Sequence, residues 1–186
     1  MLKTRIRIQS EGVARRVTSP NVIGILPGAD PVLANEYVVL SAHLDHLGTA
    51  PDRPGDKPHT DRIYNGALDN AAGIATLLEV ARAASAAPNR PRRSIVFLAT
   101  TAEEEGLLGA DYFARHPTVP ISQVVANVNL DMPVLIYPFT DVVAFGANHS
   151  SIGPLVASAV EPMGIRLAPD PMPQEGCSPA RTTTCS

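Results

Sequence analysis

Histidine and carboxylate residues recur just after apolar runs in this chain. "YVVLSA" is followed by His43, Leu44 and Asp45, and "IVFLATTA" by Glu103, Glu104 and Glu105. "VVANVNL" is followed by Asp131, and Asp69 opens the segment "DNAAGIATLLEV". The apolar runs have the pattern of buried strands, and open α/β sheets bind ligands beyond the carboxyl ends of their strands. One imidazole and several carboxylates are thereby offered to a single rim. A lone acid at a strand end is ordinarily a helix cap or a solvated turn; the coincidence of all these positions argues for more. Carboxylates packed this closely call for a compensating charge, which divalent cations supply. Imidazole and carboxylate without cysteine suit zinc, cobalt or manganese better than calcium. One carboxylate can also bridge two ions, and ions paired at roughly 3.5–4 Å activate a shared water.

The elements that must carry these residues alternate along the chain. "TSPNVIGILPG" reads as a strand closed by a Pro-Gly turn, and "NEYVVLSAHLDHLG" as a second strand. "PDRPGDKPHTDR" is a polar loop. "DNAAGIATLLEVARAASA" reads as a helix capped by Asp69 or Asn70, with Ile74, Leu77, Leu78 and Ala81 as its apolar face. "RRSIVFLATT" is a third strand and "GLLGADYFARH" a helix that stops before Pro117. "ISQVVANVNLDM" and "DVVAFGA" read as the fourth and fifth strands, "SSIGPLVASAVEPMG" as a helix and "IRLAPDP" as a last short strand. This alternation predicts an α/β fold, a three-layer α/β/α sandwich around a mostly parallel mixed central sheet.

At 186 residues and 45% apolar composition the chain is the size of one domain with a sizeable core. Trp is absent and aromatic residues are scarce, so Val, Ile, Leu and Ala must fill that core. A net charge of −3 with no long run of either sign offers no footprint for nucleic acid or an anionic membrane surface. No apolar run reaches membrane-spanning length, and "MLKTRIRIQSEG" has no apolar stretch of the kind a signal peptide needs. Cys177 and Cys185 both lie near the C-terminus and suggest neither a disulfide framework nor a thiolate zinc site.

"SAHLDHLG", "NGALDNAAG", "TTAEEEGLLG" and "NVNLDM", in this order, resemble the motifs of metallopeptidase family 28, the co-catalytic dizinc exopeptidases. The resemblance runs from about Thr18 to Glu175. It implies a zinc-dependent exopeptidase, an aminopeptidase, acting on a terminal peptide bond of a peptide substrate with two Zn2+ per complete domain. It further implies that His43 binds one zinc, Asp69 bridges both, and Glu104 and Asp131 bind the second. Glu103 would be the general base that activates the metal-bridged water, and Asp45 would accept a hydrogen bond from the His43 ring and fix its tautomer. Glu105 would be solvated, and Gly106 would let the backbone turn into the next helix. A cis peptide is expected between Asp69 and Asn70. Complete relatives are often secreted or periplasmic.

The other histidines read as bystanders. His46 simply follows the ligand motif, His59 lies in the polar loop, His116 sits at a helix C-terminus and His149 precedes a helix. Two alternatives share the fold: a single-zinc transferase like glutaminyl cyclase, and an inactive binding module. Asp69-Asn70 and Asp131 favour the dizinc peptidases.

The family's last ligand is a histidine in a segment like Ser-Asp-His-Tyr, after a stretch like "DPMPQEG". Here that stretch is followed by "CSPARTTTCS". Read one nucleotide earlier, the codons of Thr182, Thr183 and Thr184 become NAC, which encodes Asp, His, Asn or Tyr. The expectation is therefore a catalytic domain over residues 1–176 and a frameshifted, disordered tail over 177–186, with the lost histidine straddling Thr182 and Thr183. Such a chain would bind the His43-side metal weakly, expose apolar surface along one sheet edge and show little activity.

Overall fold

The computed structural model describes residues 7–13, 16–55, 57 and 59–173. The expected tail at 177–186 lies outside these. Among the described residues there are six strands: β1 (Val22–Leu26), β2 (Tyr37–His43), β3 (Ser94–Thr100), β4 (Val124–Asn129), β5 (Asp141–Val143) and β6 (Arg166–Ala168). Three helices accompany them: α1 (Ala72–Ala86), α2 (Leu108–Arg115) and α3 (Ile152–Val160). No helix among the described residues is long and apolar enough to cross a membrane.

The central sheet has the order β1-β3-β2-β4. β2 runs parallel to both of its neighbours, and β1 is antiparallel to β3, so the sheet is mixed and mostly parallel. This is the expected α/β class. β5 and β6 do not join it. They pair with each other in a separate two-stranded parallel sheet, joined through α3. Each is three residues long, and the sequence pattern of so short a strand does not say which sheet it enters.

Alternation along the strands sorts side chains to two faces. Val39 of β2 and Val96 and Leu98 of β3 meet Phe113 of α2 and Val119 in one apolar cluster. The buried Ala42 of β2 and Leu77 of α1 lie outside that cluster, and α1 packs against β2 and β3. Along α1 the inward residues are Gly73, Ile74, Leu77, Ala81 and Ala84, whereas Leu78 is 65% exposed. The expected face was thus one residue too wide, and Leu78 instead lines a cavity beside the site described below. β4 is an outer strand, and its Val125 and Val128 are exposed.

The pairing of β2 with two parallel partners has a direct consequence. Hydrogen bonding continues past the strand ends on both sides: Leu44 N–H donates to the Thr100 carbonyl at 2.8 Å, and Leu130 N–H to the Ser41 carbonyl at 2.8 Å. Ser41 Oγ also donates to Asn129 Oδ1 at 2.9 Å. The carboxyl ends of three strands are therefore locked side by side.

Phe113 anchors α2 to this frame. Phe113→Ala should lower the free energy of unfolding by about 3–5 kcal/mol, whereas Leu155→Ala, at a position 63% exposed on α3, should change it by no more than about 0.5 kcal/mol. Urea denaturation of both variants checks this; comparable losses would contradict the packing described.

Candidate metal centre

His43 is the last residue of β2 and is 2% exposed. Its Nδ1 lies 3.0 Å from the main-chain carbonyl of Asp45. A carbonyl only accepts, so Nδ1 carries a proton and Nε2 faces inward. There Nε2 meets Asp69 Oδ1 at 3.0 Å and Asp131 Oδ1 at 3.3 Å. The ring's partner is thus the Asp45 carbonyl. The expected partner, the Asp45 carboxylate, stands 3.8 Å away. The reason is that β2 ends at His43, so strict alternation stops before Asp45. That carboxylate serves the neighbouring loop instead, accepting from the N–H groups of Glu103 at 3.1 Å and Glu104 at 3.4 Å.

Asp69 sits in the wide turn Ala67–Ala71, where Asp69 (φ −111°, ψ 90°) and Asn70 (φ −136°, ψ 39°) leave helical geometry and are joined by a cis peptide. Asn70 is 2% exposed and ties this turn to the end of β4. Its Nδ2 donates to the Leu130 carbonyl at 2.9 Å. Its Oδ1 accepts from Gly73 N–H at 3.0 Å and from Met132 N–H at 3.2 Å. One amide therefore caps α1 and also grips both residues flanking Asp131. By sequence it reads as a cap alone, because its partners at Leu130 and Met132 are sixty residues away.

Glu103 and Glu104 follow β3 in a tight turn. Gly106 adopts φ +97°, and its N–H donates to the Glu103 carbonyl at 2.9 Å. Glu105 is exposed. Ala102, just before Glu103, and Met132, just after Asp131, have φ of +53° and +43°. Left-handed backbone is uncommon for residues with a Cβ and costs on the order of 1 kcal/mol or more. Both instances adjoin carboxylates of the site.

The structure thus brings His43, Asp69, Glu104 and Asp131 to one rim, but in a different grouping from the one the resemblance implies. Asp131 stands with His43 and Asp69, whereas Glu104 stands on the other side of Asp69 with His46. The strand order decides this: β4, which leads into Asp131, pairs with β2 directly, and β3 carries Glu104 in on β2's opposite edge. His43, Asp69 and Asp131 supply three potential donors on the His43 side. His46, by sequence a bystander, has its Nδ1 2.6 Å from Glu104 Oε1 and 3.8 Å from Asp69 Oδ2. His116, as expected, ends a helix, where its ring stacks on Tyr112 at 4.4 Å.

The charge balance favours a cation. At His43, one inward ring nitrogen and two carboxylate oxygens lie within 4.8 Å of one another. Burial pulls the His43 value down, but Asp131, Glu103, the Asp45 carbonyl and Asp69 outweigh it and raise the value above 6.5. Glu103 is raised above the ordinary carboxylate range, first by burial and then by Asp131, Glu104 and Asp45, with His43 opposing. Nitrogen and oxygen donors in this arrangement fit zinc and related divalent ions. Beside the rim lies a cavity of about 530 Å³ lined by His46, Tyr64, Asn65, Gly66, Ile74 and Leu78, among others. Glu103, His43 and Asp131 line a second, of about 350 Å³.

The model of peptidase family M28 matches residues 21–182. A probable zinc metalloprotease of Pyrenophora teres f. teres is 35% identical over 125 residues, covering 66% of this chain and 24% of that protein. An aminopeptidase of Mus musculus is 34% identical over 122 residues, covering 63% of this chain and 14% of that protein. The chain thus spans a quarter or less of these relatives' length. Among solved structures, BSAP, a zinc aminopeptidase from Bacillus subtilis, aligns with a TM-score of 0.60 at 22% identity, covering 88% of this chain and 41% of that one. A leucine aminopeptidase precursor from Bacteroides thetaiotaomicron aligns with a TM-score of 0.59 at 23% identity, covering 81% and 56%. At these identities the structural likeness concerns the fold.

The raised values at His43 and Glu103 fix the sign of a pH effect on the metal-free chain. A group whose folded value exceeds its unfolded value stabilises the fold below the unfolded value, and that contribution is lost as pH rises through the folded one. Both groups act in the same direction, Glu103 from above 4.5 and His43 from above 6.5. Stripped of divalent ions, the chain should therefore lose thermal stability as pH rises from the ordinary carboxylate value, about 4.3, through and past the ordinary imidazole value, about 6.5, and His43→Ala should flatten the upper part of that loss. A metal-free melting temperature that climbs across the window would contradict these environments.

Proposed function

Because the chain belongs to peptidase family M28, we propose that it is a zinc-dependent exopeptidase, an aminopeptidase, that removes the terminal residue of a peptide using two zinc ions. The observation that carries this is the division of Asp69: Oδ1 faces His43 at 3.0 Å, while Oδ2 faces the Glu104 side. A carboxylate presented in this way suits one oxygen to each of two ions. His43, Asp69 and Asp131 would hold one zinc, and Asp69 and Glu104 would contribute to the second. Zinc bound in this manner lowers the pKa of water and polarises the scissile carbonyl.

The chain's own residues supply the proton traffic. Glu103 is the base. Its backbone is pinned by the Asp45 carboxylate, and its raised proton affinity suits a carboxylate that takes a proton from water and returns it to the leaving amine. The Asp45 carbonyl keeps the His43 proton on Nδ1, which leaves Nε2 free to bind. Asn70 keeps Asp131 beside Asp69. The cavity at Tyr64 and Leu78 is of ligand-binding size and would receive the terminal residue of the peptide. The aminopeptidase reading is also supported by the aminopeptidases among the relatives.

Glu103→Gln should leave zinc content at the wild-type value while turnover of aminoacyl-nitroanilides falls by about 10²–10⁴-fold, since the amide cannot accept a proton. Zinc analysis and a chromogenic assay on the same preparations check this. Wild-type turnover in the variant would remove Glu103 from the role of base.

A further inference from the structure

We propose that His46 is a metal ligand and closes the second cation site together with Asp69 and Glu104. The proposal rests on the dizinc reading above and adds a donor that the resemblance does not supply.

The two sides of Asp69 are built alike. On one side an imidazole nitrogen, His43 Nε2, faces Asp69 Oδ1 at 3.0 Å and Asp131 Oδ1 at 3.3 Å. On the other, His46 Nδ1 faces Asp69 Oδ2 at 3.8 Å and Glu104 Oε1 at 2.6 Å. Each ring therefore meets one oxygen of the shared carboxylate and one of a carboxylate of its own. The donor atoms of each group all lie within 4.8 Å of one another. Three donors on one zinc at ordinary bond lengths stand about 3.3 Å apart in tetrahedral geometry. The 2.6 and 3.8 Å spacings around His46 bracket that value.

The backbone keeps the ring in place. Gly66 has φ +61°, and a Cβ there would come within 2.8 Å of His46 Cβ and 2.7 Å of the Asp69 carbonyl oxygen. Only glycine lets the turn that carries Asp69 lie this close to His46. Tyr64 stands edge-on to the ring, with centroids 6.3 Å apart. The side chain is 22% exposed, which leaves room for solvent or substrate to reach an ion at this place. Nδ1 cannot hold a proton for Glu104 and bind an ion at once, so ligation and mere positioning of Glu104 are distinguishable.

The test is a titration of the metal-free chain and its variants with Co2+, followed by calorimetry and by proton NMR of the exchangeable, paramagnetically shifted imidazole N–H signals. Each ligating ring keeps one such N–H. Wild type should bind two ions and show signals from both His43 and His46. His46→Ala should keep the first ion at unchanged affinity, lose about 10–100-fold or more in affinity for the second, and lose one N–H signal. Retention of the first ion also reports that the variant is folded. His46→Gln still donates a hydrogen bond to Glu104 but is a poor metal donor, so it should behave like His46→Ala. If it binds the second ion like wild type, His46 only positions Glu104 and the proposal is overturned. Two ions bound equally by wild type and His46→Ala overturn the proposal and leave the dizinc reading standing. A wild-type chain that takes up no ion overturns both.

Discussion

The mutual repulsion of carboxylates at one rim is the constraint around which this structure is arranged. Asp45, Asp69, Glu103, Glu104 and Asp131 reach the ends of β2, β3 and β4 from separate parts of the chain. Like charges this close destabilise a fold unless something positive stands between them. The buried His43 stands there, with Nε2 turned toward Asp69 and Asp131 and a raised proton affinity that lets the ring carry positive charge. The raised proton affinity of His43 expresses the same excess of negative charge, and that of Glu103 expresses burial first and the neighbouring acids second. A divalent ion on each side of Asp69 would convert the repulsion into ligation.

The scaffold holds the acids together in the meantime. β2 sits between two parallel partners, and its ladder continues beyond the strand end on both edges. Asn70 and the Asp45 carboxylate then act as cross-ties, one joining the Asp69 turn to Asp131 and the other joining the β2 end to Glu103 and Glu104. Left-handed backbone at Ala102 and Met132 adds local cost beside the same acids. That such conformations occur together at the rim, over a core made of Val39, Val96, Leu98 and Phe113, fits a site held in shape by its framework.

Much of this was legible along the chain because buried strands leave apolar runs, and the residues that follow them mark the sheet's carboxyl rim. His43, Glu103, Glu104 and Asp131 could be gathered on that ground alone, and Asp69 as the residue that opens the helix between the second and third strands. Their grouping could not. Whether Asp131 stands with His43 or with Glu104 depends on strand order, a property of pairing between residues some ninety positions apart. The Asp45 carbonyl and the contact of His46 with Glu104 were not legible, because β2 ends at His43 and strand pattern does not say where the chain turns beyond it. β5 and β6 were too short for pattern to tell a central strand from a satellite pair. Asn70 was half legible, its cap to Gly73 being local and its grip on Leu130 and Met132 not.

Anomalous diffraction at the zinc edge from crystals of the zinc-loaded chain tests the central claim most directly. Two peaks about 3.5–4 Å apart are predicted on either side of the Asp69 carboxylate, one beside His43 and Asp131 and one beside Glu104. A single peak, or zinc bound away from Asp69, would contradict the account.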